Sequence, residues 1–442
     1  MRRQLIPLSG TVLLIASIAA AQQPIPRNLA AEQRAEMEQM DQIATPGSGY
    51  FWECYPDVAG FTDPPPFDSR FPGEFENVSG VFWAWPFFGC QIPEITEGIR
   101  NSIGNVVTNV IVDSAYYDAA INCLVSRGFT DDDLALISWY IIPPDGRWSP
   151  ARGLDSIWYR DFGAETLISG TGDIQFVDMI YYESLSLNCV SFSSASRPND
   201  DSALTRVSPM FTSGAEIFRP QLRMLGGNLQ TDGRGTCIHA RRDTLRDNQF
   251  SRWSYTQEQM DAVISSYYNC PNVITMESLV GGVIDHIDMY MTVISPNRIL
   301  VGAYDPADDP MNAAILDTNA QRLADAGFTV DRIWMPTPYC SVGGFPAASG
   351  TSRTCASLYA SNRVWATYGN SVRIGNKVLV PVYHDVPADL ADDIANREAQ
   401  TLQIYQDALD QEYGDQAPTV TPIVSDAMIT GQGSVHCITI TY

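Results

Sequence analysis

The sequence predicts an α/β fold, and three observations predict it. Amphipathic helical stretches alternate with Val- and Ile-rich runs, Gly or Asn stands at or near the end of four of those stretches, and the helix–strand pair recurs five times without an exact repeat. Residues 22–48 are polar and rich in Gln, Glu and Ala, which reads as a leader or short helix ahead of the fold. Residues 49–72 carry Pro64-Pro65-Pro66 and read as an irregular opening segment. Helices are then expected near 93–103, 115–128, 256–268, 314–326 and 390–412, with Gly104, Gly128, Asn269 and Gly327 as stops for the first four. Buried strands are expected at 106–112, 134–142, 273–276, 330–335 and 419–424, where β-branched and aromatic residues concentrate. Gly226-Gly227-Asn228 is not followed by a helix start, which argues against a dinucleotide-binding arrangement. Five loose units fit modules arranged in a ring.

The chain has 442 residues and is 45% hydrophobic, enough for a large core. Met1-Arg2-Arg3, the apolar run 11–21 and Ala19-Ala20-Ala21 before Gln22 read as an export signal over residues 1–21, so the expected location is secreted or periplasmic. That run is short for a bilayer span, and no stable membrane association is expected. A formal charge of −24 repels nucleic acid and attracts cations. Nine cysteines in an exported chain leave one over, and an unpaired thiol there points to a nucleophile. Cys437 has the setting for it: Gly431-Gln432-Gly433-Ser434-Val435-His436 precede it as a Gly-containing loop, and Ile438-Thr439-Ile440-Thr441-Tyr442 follow as a strand-like run. Among the rest, Cys54–Cys90 and Cys340–Cys355 are the expected disulfides, with Cys123, Cys189, Cys237 and Cys270 open to three pairings. The sequence carries no signal for an oligomeric state.

Reactive groups gather next to glycine in four loop-like segments, where a backbone can approach a ligand closely. Asp161, inside Trp158-Tyr159-Arg160-Asp161-Phe162-Gly163, either binds a cation or pairs with Arg160. Asn228 and Asp232 suit turns. His286 and Asp288 are two apart and face one side if the backbone is extended. Cys437 is the fourth. The cysteine and histidine spacings are not those of a metal site, and there is no Gly-x-Ser-x-Gly elbow. No metal and no organic cofactor is expected.

Taken in order, these segments resemble the guanidine-modifying enzymes of the pentein fold, specifically the agmatine deiminase and bacterial peptidylarginine deiminase family. The resemblance rests on Trp158 to Gly163, on Gly226-Gly227-Asn228-Leu229-Gln230-Thr231-Asp232-Gly233-Arg234-Gly235-Thr236, on His286-Ile287-Asp288, on Tyr368-Gly369-Asn370-Ser371 and on Gly433 to Thr439. Pro72-Gly73-Glu74-Phe75-Glu76 and Arg197-Pro198-Asn199-Asp200-Asp201 also look like family segments, so it runs from about residue 70 to the end. It implies a five-bladed α/β propeller of ββαβ modules with a central site, forming a single catalytic domain over 71–442. It implies Cys437 as nucleophile, His286 as general acid/base, and Asp161 and Asp288 as the carboxylates that hold the guanidinium. Trp158, Asn370 and Arg197 are further implied substrate-binding residues. The implied partner is an arginine-containing peptide or a small guanidino compound, turned into a ureido group and ammonia.

Three features depart from the family pattern. Asp285 stands where Gly usually precedes the His, adding a negative charge beside the base. Gly431-Gln432-Gly433-Ser434 replaces a run of glycines before the nucleophile. Of the arginine pair that grips a C-terminal carboxylate in peptidyl-citrullinating relatives, only Arg197 is present, with Ala195 two positions before it. Export favours peptide- or protein-bound arginine, with agmatine second. A non-enzymatic binding module on the same skeleton is the competing class, and the Cys/His/Asp/Asp set argues against it.

Overall fold

The computed structural model describes residues 61–144, 152–181, 197–201, 203–207, 215–241, 255–281, 286–342, 350–352 and 363–442. Its strands, in chain order, are β1 (Gly80–Trp85), β2 (Val107–Asp113), β3 (Ile137–Ile142), β4 (Glu165–Ile168), β5 (Ile174–Val177), β6 (Ile217–Phe218), β7 (Leu229–Thr231), β8 (Thr236–Ala240) and β9 (Asn272–Met276). They continue with β10 (Met291–Ser295), β11 (Arg298–Ala303), β12 (Thr329–Trp334), β13 (Tyr339–Val342), β14 (Gly350–Ser352), β15 (Arg363–Val364), β16 (Val372–Ile374), β17 (Lys377–Val382), β18 (Thr419–Val424) and β19 (Thr439–Thr441).

One pairing pattern recurs among these strands: an antiparallel pair, a connection, and a third strand parallel to the second. It joins β4, β5 and β6, then β7, β8 and β9, then β10, β11 and β12, then β16, β17 and β18. The fifth copy is closed by the chain's end, where β19 lies antiparallel to β1 with Trp83 opposite Thr439, and β2 runs parallel to β1. This is the ββαβ module that the family resemblance implies, with the last strand supplying the first module's missing hairpin partner. β13, β14 and β15 form a separate antiparallel sheet.

Local chemistry explains the helices. Pro93–Ser102 starts with Pro at its first turn and buries Ile95 and Ile99. Gln257–Tyr268 starts on a Thr256/Gln259 capping box and stops at Asn269, whose φ of 50° is left-handed. Pro310–Asp325 begins four residues before the expected 314, because Asp309 caps it and Pro310 opens it ahead of the apolar periodicity. The strand expected over 134–142 is shorter, since Thr130 and Asp133 form a capping box for a short helix, Asp131–Ala135. The helix expected over 390–412 is Ala391–Tyr413. Among the described residues no helix is long and apolar enough to cross a membrane.

The expected Cys54–Cys90 bond is replaced by Cys90–Cys123, with Cα atoms 5.9 Å apart. Cys90 sits in the turn Gly89–Gln91 after β1, and Cys123 lies on the Tyr117–Ser126 helix of the same module, so the fold brings these two together. Cys237 at the start of β8 is bonded to Cys270 after the Gln257–Tyr268 helix, Cα atoms 5.6 Å apart. Cys340 is disulfide-bonded; Cys54, Cys189 and Cys355 lie outside the described residues, as does Asp285.

Candidate functional site

Each hairpin of the five modules is preceded by a short turn or single helical turn, and these five segments carry the site residues. Asp161 is in Tyr159–Phe162 ahead of β4; Gly227 is in Gly226–Asn228 ahead of β7; Asp288 is in Ile287–Met289 ahead of β10; Cys437 is in His436–Ile438 ahead of β19; Asn370 stands just before β16. His286 opens the Ile287–Met289 turn, so His286 and Asp288 share a tight turn rather than an extended strand.

The five segments meet. Cys437 Sγ lies 3.3 Å from Asp288 Oδ2 and accepts from Asn370 Nδ2 at 3.1 Å. His286 Nδ1 is 3.4 Å from Asp161 Oδ1. A Cβ added at Gly227 would lie 2.6 Å from His286 Nδ1, 3.0 Å from Asp288 Oδ2 and 3.1 Å from Asp161 Oδ1. Glycine is therefore required at 227, because both carboxylates and the imidazole border the space above its Cα. All of these groups are buried, and Cys437 is the free cysteine among the described residues.

Asn370 organises the nucleophile's backbone. Its Oδ1 accepts from Ser434 N and His436 N at 3.1 Å and from Cys437 N at 3.3 Å, so one amide gathers three donors of one turn. Asn370 is itself held from two sides. The Tyr405 hydroxyl donates to Tyr368 O at 2.6 Å from the long Ala391–Tyr413 helix, and Thr367 Oγ1 donates to Met289 O on the turn that carries Asp288. Trp158 packs on Gly433, where a Cβ would meet its ring, and is nearly buried. Gln432 takes a φ of 65°, so this replacement of a family glycine still adopts the left-handed backbone.

Arg160 does not take Asp161 as its pair. It reaches the half-buried Glu74, and also the buried Glu165 at 3.3 Å. Asn228 closes a loop, with its amide bonded to both backbone groups of Ala240, and Asp232 accepts from Arg234 N and Thr236 N; both are turn-forming. Arg197 donates to the Tyr181 hydroxyl at 2.7 Å, beside Asp200. Asp200 accepts from Asp155 N, Ser156 N and Ser156 Oγ, and Asn199 holds the Asp155 carboxylate. The Arg197–Asp201 run thus pins the loop that leads into Trp158 and Asp161, and the contacts described for Arg197 lie there rather than at Cys437.

Two residues that sequence reasoning did not place in the site belong to its wall. His436 Nδ1 is 2.8 Å from Asp288 Oδ2, and its Nε2 is 2.6 Å from Glu74 Oε2. Burial would raise the Glu74 carboxyl, but Arg160 and His436 hold it at about 2. Burial and Arg160 both oppose a proton on His436, but Glu74 and Asp288 outweigh them and lift it to about 9. The Cys437 thiol is pushed well above its ordinary value, by burial first and then by Asp288 and Asp161. Asp288 Oδ1 is buried with no hydrogen-bond partner among the described residues, an acceptor left open toward a donor-rich ligand.

Residues 70–442 match the Porphyromonas-type peptidyl-arginine deiminase family. The chain belongs to it. It is a guanidine deiminase, a hydrolase acting on amidine C–N bonds. The agmatine deiminase of Pseudomonas putida is 23% identical over 297 residues, covering 64% of this chain and 74% of its own length. Among solved structures, an agmatine deiminase of Enterococcus faecalis matches with a TM-score of 0.63 at 18% identity, covering 87% of this chain and 98% of that one. A C. jejuni agmatine deiminase matches with a TM-score of 0.56 at 17% identity, covering 84% and 95%. These likenesses show the fold, α/β of the pentein type.

Proposed function

We propose that this deiminase acts on peptide- or protein-bound arginine outside the cytoplasm, through a covalent thiouronium on Cys437. The observation that carries the reading is a free buried thiol 3.3 Å from one carboxylate, with a second carboxylate and an imidazole bordering the same space. A guanidinium is planar, cationic and rich in N–H donors, so Asp161 and Asp288 can each accept from it while balancing its charge. Its positive charge is a counter-charge beside the sulfur, which favours the thiolate that burial, Asp288 and Asp161 disfavour.

The thiol proton passes to His286 as Sγ bonds to the central guanidinium carbon, giving a tetrahedral adduct. His286 returns that proton to the departing nitrogen, the C–N bond breaks and ammonia leaves a thiouronium on Cys437. A water then gives one proton to His286 and its oxygen to the carbon; the C–S bond breaks with its electron pair going to sulfur, His286 returns its proton to that sulfur, and the ureido group leaves as its hydroxyl proton passes to solvent, where the released ammonia takes it up. Asn370 bears on the first step, since its amide donates to the sulfur and holds the turn that presents it.

Two facts support peptide-bound arginine: the family description names peptidyl arginine, and residues 1–21 have the pattern of an export signal. Relatives described as agmatine deiminases favour a second reading, hydrolysis of agmatine to its carbamoyl product. Ammonia and ureido release on peptides with internal arginine, peptides with C-terminal arginine, free arginine and agmatine separates the two. Highest kcat/KM on agmatine overturns the peptide reading, and a Cys437→Ala variant that still releases ureido product overturns the covalent mechanism. Cell fractionation tests export.

A further inference from the structure

His436 lies between two groups that, when ionised, can only accept. A neutral imidazole has one N–H and one lone pair, so with carboxylate oxygens at 2.8 and 2.6 Å one contact would set a lone pair against an anion. The imidazolium donates to both. Glu74 is fixed in place from outside the site. Gly73 N donates to Glu76 Oε1 at 2.8 Å, Arg70 pairs with Glu76, and the Phe75 carbonyl accepts from Arg373 and from the Tyr413 hydroxyl. The opening segment is thereby pinned to β16 and the long helix, with the Glu74 carboxylate directed at Arg160 and His436.

We propose that Glu74 is a positioning residue of the deiminase reaction: it fixes His436 as an imidazolium at neutral pH behind Asp288, and that buried cation eases formation of the Cys437 thiolate. The sulfur faces the same Asp288 oxygen that His436 binds, so a thiolate there meets a carboxylate whose charge is already drawn toward the imidazolium. The other charged groups around the ring do not replace it. Arg160 is committed to Glu74 and Glu165, Asp161 adds negative charge toward the sulfur, and His286 lies on the Asp161 side. The kinetic half of this proposal rests on the deiminase reading; the charge state of His436 does not.

The test uses the full chain and Glu74→Gln, which keeps the side-chain shape and removes the charge, with Glu74→Asp as the conservative partner. Histidine ¹⁵N shifts should show both His436 nitrogens protonated at neutral pH in the unaltered protein. In Glu74→Gln the titration should fall by about one pH unit or more. The alkaline limb of kcat/KM should fall with it, KM staying within about twofold, and Glu74→Asp should restore most of the profile. A neutral His436 in the unaltered protein overturns the proposal, and so does a folded Glu74→Gln with an unmoved profile. Equal profiles for Glu74→Gln and Glu74→Asp also overturn it, since they indicate a packing role. If no substrate in the panel is turned over, the deiminase reading fails alone. The ¹⁵N titration and the pH dependence of Cys437 alkylation by iodoacetamide then decide the proposal.

Discussion

Gly227→Ala places one methyl group where three reactive side chains converge. Its Cβ would be 2.6 Å from His286 Nδ1, 3.0 Å from Asp288 Oδ2 and 3.1 Å from Asp161 Oδ1, whereas ordinary non-bonded contact begins at about 3.5 Å. The imidazole must retreat by roughly 0.9 Å and the carboxylates by about half that. All three groups are buried on tight turns of two modules, so there is little room to yield. A misplacement of about 1 Å costs on the order of 100-fold in rate, or about 3 kcal/mol of barrier. The expected result is a fall of that size in kcat/KM for ammonia release, measured at saturating and limiting substrate. The backbone at 227 is not left-handed, so no strain is added there, and a Gly→Ala change stiffens the unfolded chain by up to about 1 kcal/mol. The melting temperature should therefore move by only a few degrees. Undiminished kcat/KM in a folded Gly227→Ala protein would refute the reasoning, because the space above residue 227 would then not be where substrate and acids meet.

Three further outcomes follow from the geometry. Asn370→Ala strips the acceptor from Ser434, His436 and Cys437 N–H groups; thermal unfolding should show a loss of about 2–4 kcal/mol and activity should fall at least tenfold, while Asn370→Asp keeps the acceptor and most of the stability. Glu94 accepts from Ala427 N and Met428 N and is raised by burial from 4.5 to about 7, so the stability of its protonated form is complete below 4.5 and lost as pH rises through 7. Denaturant titrations from pH 4.5 to 8 should show up to about 3 kcal/mol of that slope missing in Glu94→Gln. Cys90→Ala with Cys123→Ala opens a loop of sequence separation 33 and should cost about 2–4 kcal/mol in denaturant unfolding, with kcat/KM little changed.

Much of the site was legible because its pieces are local. Asp161, Gly227, His286 with Asp288, Asn370 and Cys437 each lie in a short run just ahead of a hairpin; residue type and nearby glycine mark the thiol, whereas the acids, the imidazole and Asn370 are marked by the family resemblance of those runs. The strand expected at 134–142 failed for an equally local reason: the Thr130/Asp133 capping box outweighs the β-prone residues that follow for one short helix. Partners across long separations were not legible. The His436–Glu74 contact spans 362 positions, and sequence records that both charges exist without saying which carboxylate faces which ring. The Cys90 partner was misjudged similarly, since Cys54 and Cys90 flank the Pro-rich opening segment while the module's packing brings up Cys123.

By itself the sequence determined the α/β class and the recurring helix–strand unit, and it marked the candidate thiol and, through family-like runs, the candidate acids beside it, because periodicity, caps and short motifs are properties of neighbouring residues. Only the tertiary structure decided that Arg160 turns to Glu74 and Glu165 rather than Asp161, that β19 closes the first module, and that His436 is clamped between two carboxylates. Those outcomes depend on burial: once water is excluded, each charge must find a counter-charge wherever the fold has brought one within reach, however far away it lies in the chain.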